Sequence, residues 1–188
     1  TSTPEQLDAA GVLWKNYPDV LMQTHLSENR GEIDWVLKLF PDAPDYFAVY
    51  EKFGLAGPGA LFGHGIHLSP RERDAIFSTG SAIAHCPTSN AFIGSGLFDL
   101  QGLREGRHSI NVGLATDVAG GSSLSMFATM RAAYEIAQLR GYNLHPAKAW
   151  YLASAGAARA MNLHHQVGNL ALGMEADVTV IDLKSTAI

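Results

Sequence analysis

A single cysteine, Cys86, occurs in the 188 residues, so no disulfide can close within the chain and no zinc ribbon of several cysteines can form. A reducing compartment fits that usage, and the cytoplasm is the expectation. No apolar run reaches the roughly 18 residues that a membrane span needs, and the N-terminus lacks the charged-then-apolar order of a secretion signal. Basic runs are missing too. Thirteen Lys plus Arg stand against eighteen Asp plus Glu, a formal charge of -5, and no stretch could track a phosphate backbone. Neither nucleic acid nor a membrane is an expected partner. Charge is sparse at 16%, whereas 47% hydrophobic content suffices for a core of ordinary density. The chain opens on Thr1 rather than methionine, which reads as a trimmed or excerpted piece.

What is present is an alternation. "STPEQLDAAGVLWKN" offers Thr3 as a helix cap, Pro4 at the first helical position, and a stripe of Leu7, Ala10, Leu13 and Trp14. "DVLMQTH" follows, too short for a helix and apolar at consecutive positions, as a strand buried on both faces would be. "GALFGH" reads as the next strand, and "SPRERDAIFSTG" as a helix capped by Ser69 and closed by Gly80. "SAIAHCP" and "INVGLATD" read as two further strands. "SSLSMFATMRAAYEIAQLRG" spaces Leu124, Phe127, Met130, Tyr134 and Ala137 as a helix face that could support a dimer. "HPAKAWYLASAGAARAMNL" reads as one more helix, and "EADVTVIDL" as a closing strand. Four buried strands, each followed by helix, define an α/β fold of parallel β/α units. A full eight-unit barrel needs about 250 residues, so this chain reads as a partial TIM-type (β/α) barrel, about its second half.

Each strand finishes on or beside a residue able to bind metal or move protons: His25, His64, His85 and Asp117. The carboxyl ends of parallel strands share one face, so these four converge on one mouth. Neutral imidazole and carboxylate suit zinc or ferrous iron, with an open position for an activated water. Glu28, three residues past His25, could reach that water as a general base without coordinating the metal. Blander roles stand beside these. Asp117 could cap the turn before Gly120 and Gly121, His85 could merely support a neighbour, and His67 could cap a helix or line the rim. Ser89 and Asn90 in "HCPTSN" lie beside the pocket, where either could bind substrate or order the loop. Cys86 reads as a small apolar residue, and His108, His145, His164 and His165 as solvated.

"QTHLSEN", "FGHGIHLS", "AHCPTSN" and "LATDVAGG", in that order, resemble the second half of a zinc-dependent amidohydrolase, with "TDVAGG" tilting the likeness toward the guanine deaminases. The likeness implies a metal-dependent hydrolase in which His25, closing the fifth barrel strand, and Asp117, closing the eighth, are zinc ligands. It makes Glu28 the proton shuttle and His64 the group that leans over water and substrate. All four would touch a small purine, and a homodimer is implied as the working form. By the same likeness, metal-activated water attacks the amino-bearing carbon of guanine, and xanthine and ammonia leave. Residues 1–165 then form the half-barrel, and 166–188 begin the return to a small flanking β-domain. Rival readings are another aminated heterocycle, such as an adenosine derivative or a triazine, or a non-catalytic half-barrel module.

The family draws further zinc ligands from a His-x-His motif on the first strand, and no His-x-His occurs in this sequence. The purine-gripping arginine of the family also lies upstream of "TSTPEQL". The isolated chain is therefore expected to be catalytically silent and to expose an apolar seam. Guanine turnover assayed on the purified 188 residues should not rise above the uncatalysed background, and clear xanthine production would overturn this expectation.

Overall fold

A computed structural model of the chain describes residues 2–182. Helix α1 (Pro4–Asn16) starts on the expected cap: Thr3 Oγ1 accepts from Gln6 N–H, and the Gln6 side chain accepts from Thr3 N–H. Its buried stripe is narrower than expected, because Leu7 and Gly11 are buried while Ala10 and Leu13 face solvent. Gly11 is there for space, since a Cβ would lie 2.0 Å from the Phe53 carbonyl oxygen.

Strand β1 (Met22–Leu26) departs from its expected double burial: Gln23 and His25 are exposed, and Leu26 alone is fully buried. The reason is position. β1 is an edge of a four-stranded parallel sheet ordered β1-β2-β3-β4, with β2 at Ala60–His64, β3 at Ala82–His85 and β4 at Asn111–Leu114. The inner strands are buried nearly throughout, as parallel strands covered on both faces must be.

Helices α2 (Arg30–Leu39) and α3 (Tyr46–Lys52) connect β1 to β2. Helix α4 (Pro70–Thr79) follows with Ser69 as cap and Gly80 left-handed at φ 74°, both as expected. Next come α5 (Pro87–Ile93), α6 (Leu100–Arg104) and, after β4, α7 (Met126–Leu139), α8 (Pro146–Ala153) and α9 (Ala155–Ala160). The segment read as one last helix is thus two. The chain breaks at Ser154 (φ -134°, ψ -101°), which lets α9 lie across β4, where a Cβ on Gly113 would meet Ala157 Cα at 2.9 Å. The face of α7 also differs from expectation: Thr129, Ala133, Ile136 and Ala137 are buried, while Leu124 precedes the helix and is exposed. Small residues win that face because the helix lies close to its neighbours α5 and α8.

The closing strand does not form. Residues 175–182 join no ladder, and Leu183 lies outside the described residues. A strand requires a partner edge. Here Val178 and Ile181 instead line a groove with Phe127 and Trp150 of α7 and α8. No described helix is long and apolar enough to cross a membrane.

The core lies between sheet and helices around Phe47, Phe62, Ile76, Ile83 and Val112, with the Phe47 and Phe62 rings edge to face at 5.1 Å. One buried carboxylate ties the layers together. Glu72 of α4 accepts from Ser27 Oγ (3.1 Å) and Phe47 N–H (3.2 Å) through one oxygen, and from Ser69 N–H (2.7 Å) through the other. It thereby joins the end of β1, the start of α3 and its own helix cap. Removing it orphans three donors, two of them buried, and hydrogen bonds to a charged group contribute about 1.5–3 kcal/mol each. Glu72→Ala should lower the unfolding free energy by about 3 kcal/mol in urea titrations, and a change below about 1 kcal/mol would show that water replaces the carboxylate.

Candidate active site

The parallel register brings the strand ends together: His25 of β1 pairs with Gly63 of β2, and Leu26 with His64. The His25 ring stacks on His64 at 5.3 Å between centroids and 11° between planes. Beyond His25 the chain turns sharply. Ser27 is fully buried with φ 48°, held by Glu72, and this bend carries Glu28 back toward the mouth. Tyr50 Oη donates to the His25 carbonyl at 3.0 Å and fixes the strand end from behind.

His64 is the centre of the site. It is 2% exposed, with φ 71°. Its Nδ1 lies 2.8 Å from Asn90 Oδ1, an oxygen that can only accept, so Nδ1 donates there. Nε2 faces Asp117 Oδ2 at 3.8 Å, and Glu28 Oε1 stands 3.7 Å from Nδ1. Glu28 Oε1 accepts from Ser95 Oγ at 2.7 Å.

Asp117 lies three residues beyond the end of β4, which stops at Leu114, earlier than "INVGLATD" suggests. Its φ is 46°, and the chain then closes a tight turn through Gly121 N–H donating to Asp117 O. That turn, rather than an anion nest, is what Gly120 and Gly121 form. The glycines meet a demand for space: a Cβ at Gly121 would sit 2.0 Å from Thr116 O, and one at Gly120 2.6 Å from Ser89 Oγ. Of five non-glycine residues with positive φ among the described residues, His64 ends β2, Ser27 follows β1, and Asp117 and Ala119 lie on the turn after β4. Such strain persists only where surrounding contacts hold it, and it clusters at functional mouths.

His25, Glu28, His64 and Asp117 are therefore gathered as expected, whereas the other three candidates lie deeper. His85 is buried, its ring stacked on Phe98 at 4.2 Å, and Nδ1 has no partner. Ser89 and Asn90, read as binding substrate or ordering the structure beside the pocket, belong to α5 and are fully buried, with Asn90 holding His64. Asn90 Nδ2 and Ser89 Oγ have no partner. Cys86 Sγ, one His64 nitrogen and one Asp117 oxygen lie within 4.8 Å of one another. Burial, with the carboxylate of Asp117 adding to it, pushes the Cys86 thiol up to about 12, so it packs as a neutral group. His67 Nε2 lies 3.0 Å from Ser95 O, tying two loops. His108 is less solvated than expected, with its ring on Phe77 and Nε2 3.4 Å from Asp74. Sequence reasoning missed Ser95, whose one signal was its place between two glycines in "GSG".

Half of a parallel barrel, with imidazoles and carboxylates at the carboxyl ends of its strands, is the layout of donors that metal-assisted hydrolysis draws on. The chain belongs to the amidohydrolase family, whose profile matches residues 1–188. Among its relatives is guanine deaminase of Escherichia coli K12, 42% identical over 188 residues, which are all of this chain and 42% of that protein. The solved structure of the E. coli enzyme superposes with a TM-score of 0.90 over 94% of this chain and 41% of that one. A guanine deaminase from C. acetobutylicum with guanine bound in its active site is 32% identical, TM-score 0.81, over 89% of this chain and 41% of that one. An adenosine deaminase from Xanthomonas campestris with bound zinc shares the fold at TM-score 0.84 and 22% identity, over 94% of this chain and 40% of that one. The chain spans about two fifths of the length of the relatives it matches.

Burial, with the neighbouring His64 adding to it, holds His85 neutral down to about pH 3 against an ordinary 6.5. Between those values the unfolded chain binds a proton that the folded chain refuses, so stability falls as pH drops through that window. The expected slope approaches about 1.4 kcal/mol per pH unit, and His85→Gln should flatten it in urea titrations from pH 7 to pH 4. Parallel wild-type and variant curves would show that His85 does not set the acid limb.

Proposed function

We propose that this chain supplies the proton-handling part and part of the metal-binding part of a guanine deaminase, which hydrolyses guanine to xanthine and ammonia. The observation that carries this reading is the approach of Glu28 and Asp117 to opposite nitrogens of one buried histidine, at 3.7 and 3.8 Å, at the mouth of a half-barrel. Residues 1–165 are the half-barrel in this reading, and 166 onward leads away from it. The cytoplasm follows from the single reduced cysteine, and a homodimer would use exposed positions of α7 such as Phe127 and Leu139.

The donor set fits zinc, with ferrous iron as its nearest substitute: an imidazole at the end of β1 and a carboxylate past the end of β4, on the same end of the sheet. His25 and Asp117 would hold the ion. When bound, such an ion makes a water acidic enough to act as a nucleophile near neutrality. Glu28 takes one proton from the attacking water and gives it to the ring nitrogen, then takes the second from the hydroxyl left on the attacked carbon and gives it to the departing amine. One water adds, the C–N bond to the exocyclic amine breaks, and ammonia leaves. His64, with Nδ1 tied to Asn90, turns Nε2 toward the reacting centre and orients the water or the developing oxygen there.

A fusion in which this chain replaces the matching 188 residues of E. coli guanine deaminase provides the test. The fusion should form xanthine and ammonia from guanine. Glu28→Gln should cost about 10² to 10⁴ in kcat with zinc content unchanged, whereas Asp117→Ala should lose zinc. Turnover of adenosine derivatives or triazines in place of guanine would move the substrate, and zinc-free, inactive fusions that fold normally would remove the reading.

A further inference from the structure

We propose that Ser95 is a positioning residue for the reaction, holding the Glu28 carboxylate clear of His64 and free to move protons. The proposal rests on the reading of Glu28 as the proton carrier. Glu28 sits on a turn at the end of β1, and its side chain is 15% exposed. A carboxylate on two rotatable carbons, 3.7 Å from the Nδ1 of an imidazole, is drawn toward that ring by hydrogen bonding. Two contacts prevent the collapse. Asn90 Oδ1 already occupies His64 Nδ1 at 2.8 Å, and Ser95 Oγ donates to Glu28 Oε1 at 2.7 Å, the one direct hydrogen bond to that carboxylate among the described residues.

The hydroxyl can perform this task because its backbone cannot move. Ser95 is 5% exposed and flanked by Gly94 (φ 80°) and Gly96 (φ 133°), conformations that side-chain-bearing residues rarely adopt. A Cβ on Gly96 would meet Ile66 Cγ2 at 3.0 Å. Ser95 N–H donates to Asn90 O at 2.9 Å, and His67 Nε2 holds Ser95 O at 3.0 Å. Two residues on, Arg140 at the C-terminal cap of α7 donates to Leu97 O at 3.2 Å. The strap between α5 and α6 is thus pinned to three elements, and the Ser95 hydroxyl it carries donates to Glu28. A neutral hydroxyl suits this role better than a cation: an adjacent ammonium or guanidinium would hold the carboxylate as an ion pair and weaken it as a base. Asn90 and Ser95, five residues apart, thereby set His64 and Glu28 as a pair.

Two measurements test this. On the chain as it stands, the carboxyl carbon of Glu28, assigned through Glu28→Gln, is observed by ¹³C NMR at fixed pH. Ser95→Ala should shift that resonance, and Ser95→Thr, which keeps the hydroxyl, should restore it. An unmoved resonance in Ser95→Ala overturns the contact. In the fusion enzyme, Ser95→Ala should lower kcat about 10- to 100-fold while KM for guanine and zinc content change less than about twofold. In the Glu28→Gln background the same change should cost less than about twofold, because Ser95 acts through Glu28. Equal losses in both backgrounds would make Ser95 structural only and overturn the proposal. A fusion inactive on guanine overturns the functional reading and the catalytic role of Ser95 with it, while the resonance separately decides whether Ser95 holds Glu28.

Discussion

The parallel register of four strands is the constraint on which the site depends. His25 faces Gly63, Leu26 faces His64, and His85 faces Leu114, so residues from four separate segments end at one level. Antiparallel pairing would send alternate strand ends to opposite faces and scatter the same residues. The helices exist, in this sense, to return the chain to the start of the next parallel strand. Buried apolar surface from Phe47, Phe62 and Ile83 supplies the stability that allows strand ends to carry polar groups.

Those polar groups are costly, and the structure confines the cost to a few residues. Ser27, His64 and Asp117 take left-handed conformations, and His85, Ser89 and Asn90 each bury a polar atom without a partner. Both features oppose folding by amounts of order 1–3 kcal/mol per group. They persist because Glu72 anchors the first turn, α5 lies beneath His64, and the Asp117 turn packs on Ser89 with only glycine-sized gaps. A mouth assembled in this way is rigid before any ligand arrives, which is what orientation of a general base requires.

Local signals in the sequence were enough to find the four strands, the caps at Thr3 and Ser69, the stop at Gly80 and the four mouth residues. Each is written within a few neighbouring positions. What escaped depends on residues far apart. β1 looked doubly buried because composition does not say which strand lies at an edge, and the exposure of His25 follows from that edge position. The last helix looked continuous because the break at Ser154 serves the fit of α9 onto Gly113, a contact across more than forty positions. "HCPTSN" read as a loop since a seven-residue helix starting at proline has little room for a periodic pattern. Ser95 carried only the flanking glycines as a hint, its partner being 67 residues away.

The two carboxylates at the mouth show how environment divides work between like groups. Glu28 is tethered through its oxygen to a neutral hydroxyl and by its backbone N–H to Glu32, so its direction is set while its charge remains uncommitted. Asp117 is a third exposed and faces His64 at 3.8 Å, beyond hydrogen-bonding distance, on a turn that is itself held by Gly121. A carboxylate held by its backbone, with its oxygens open, suits a ligand that an incoming cation completes. A carboxylate held by its side chain, with one oxygen anchored, suits a base that must return to the same place after each proton. How each carboxylate is tied down thus supports the proposed assignment of Asp117 to metal and Glu28 to protons, apart from any likeness of sequence.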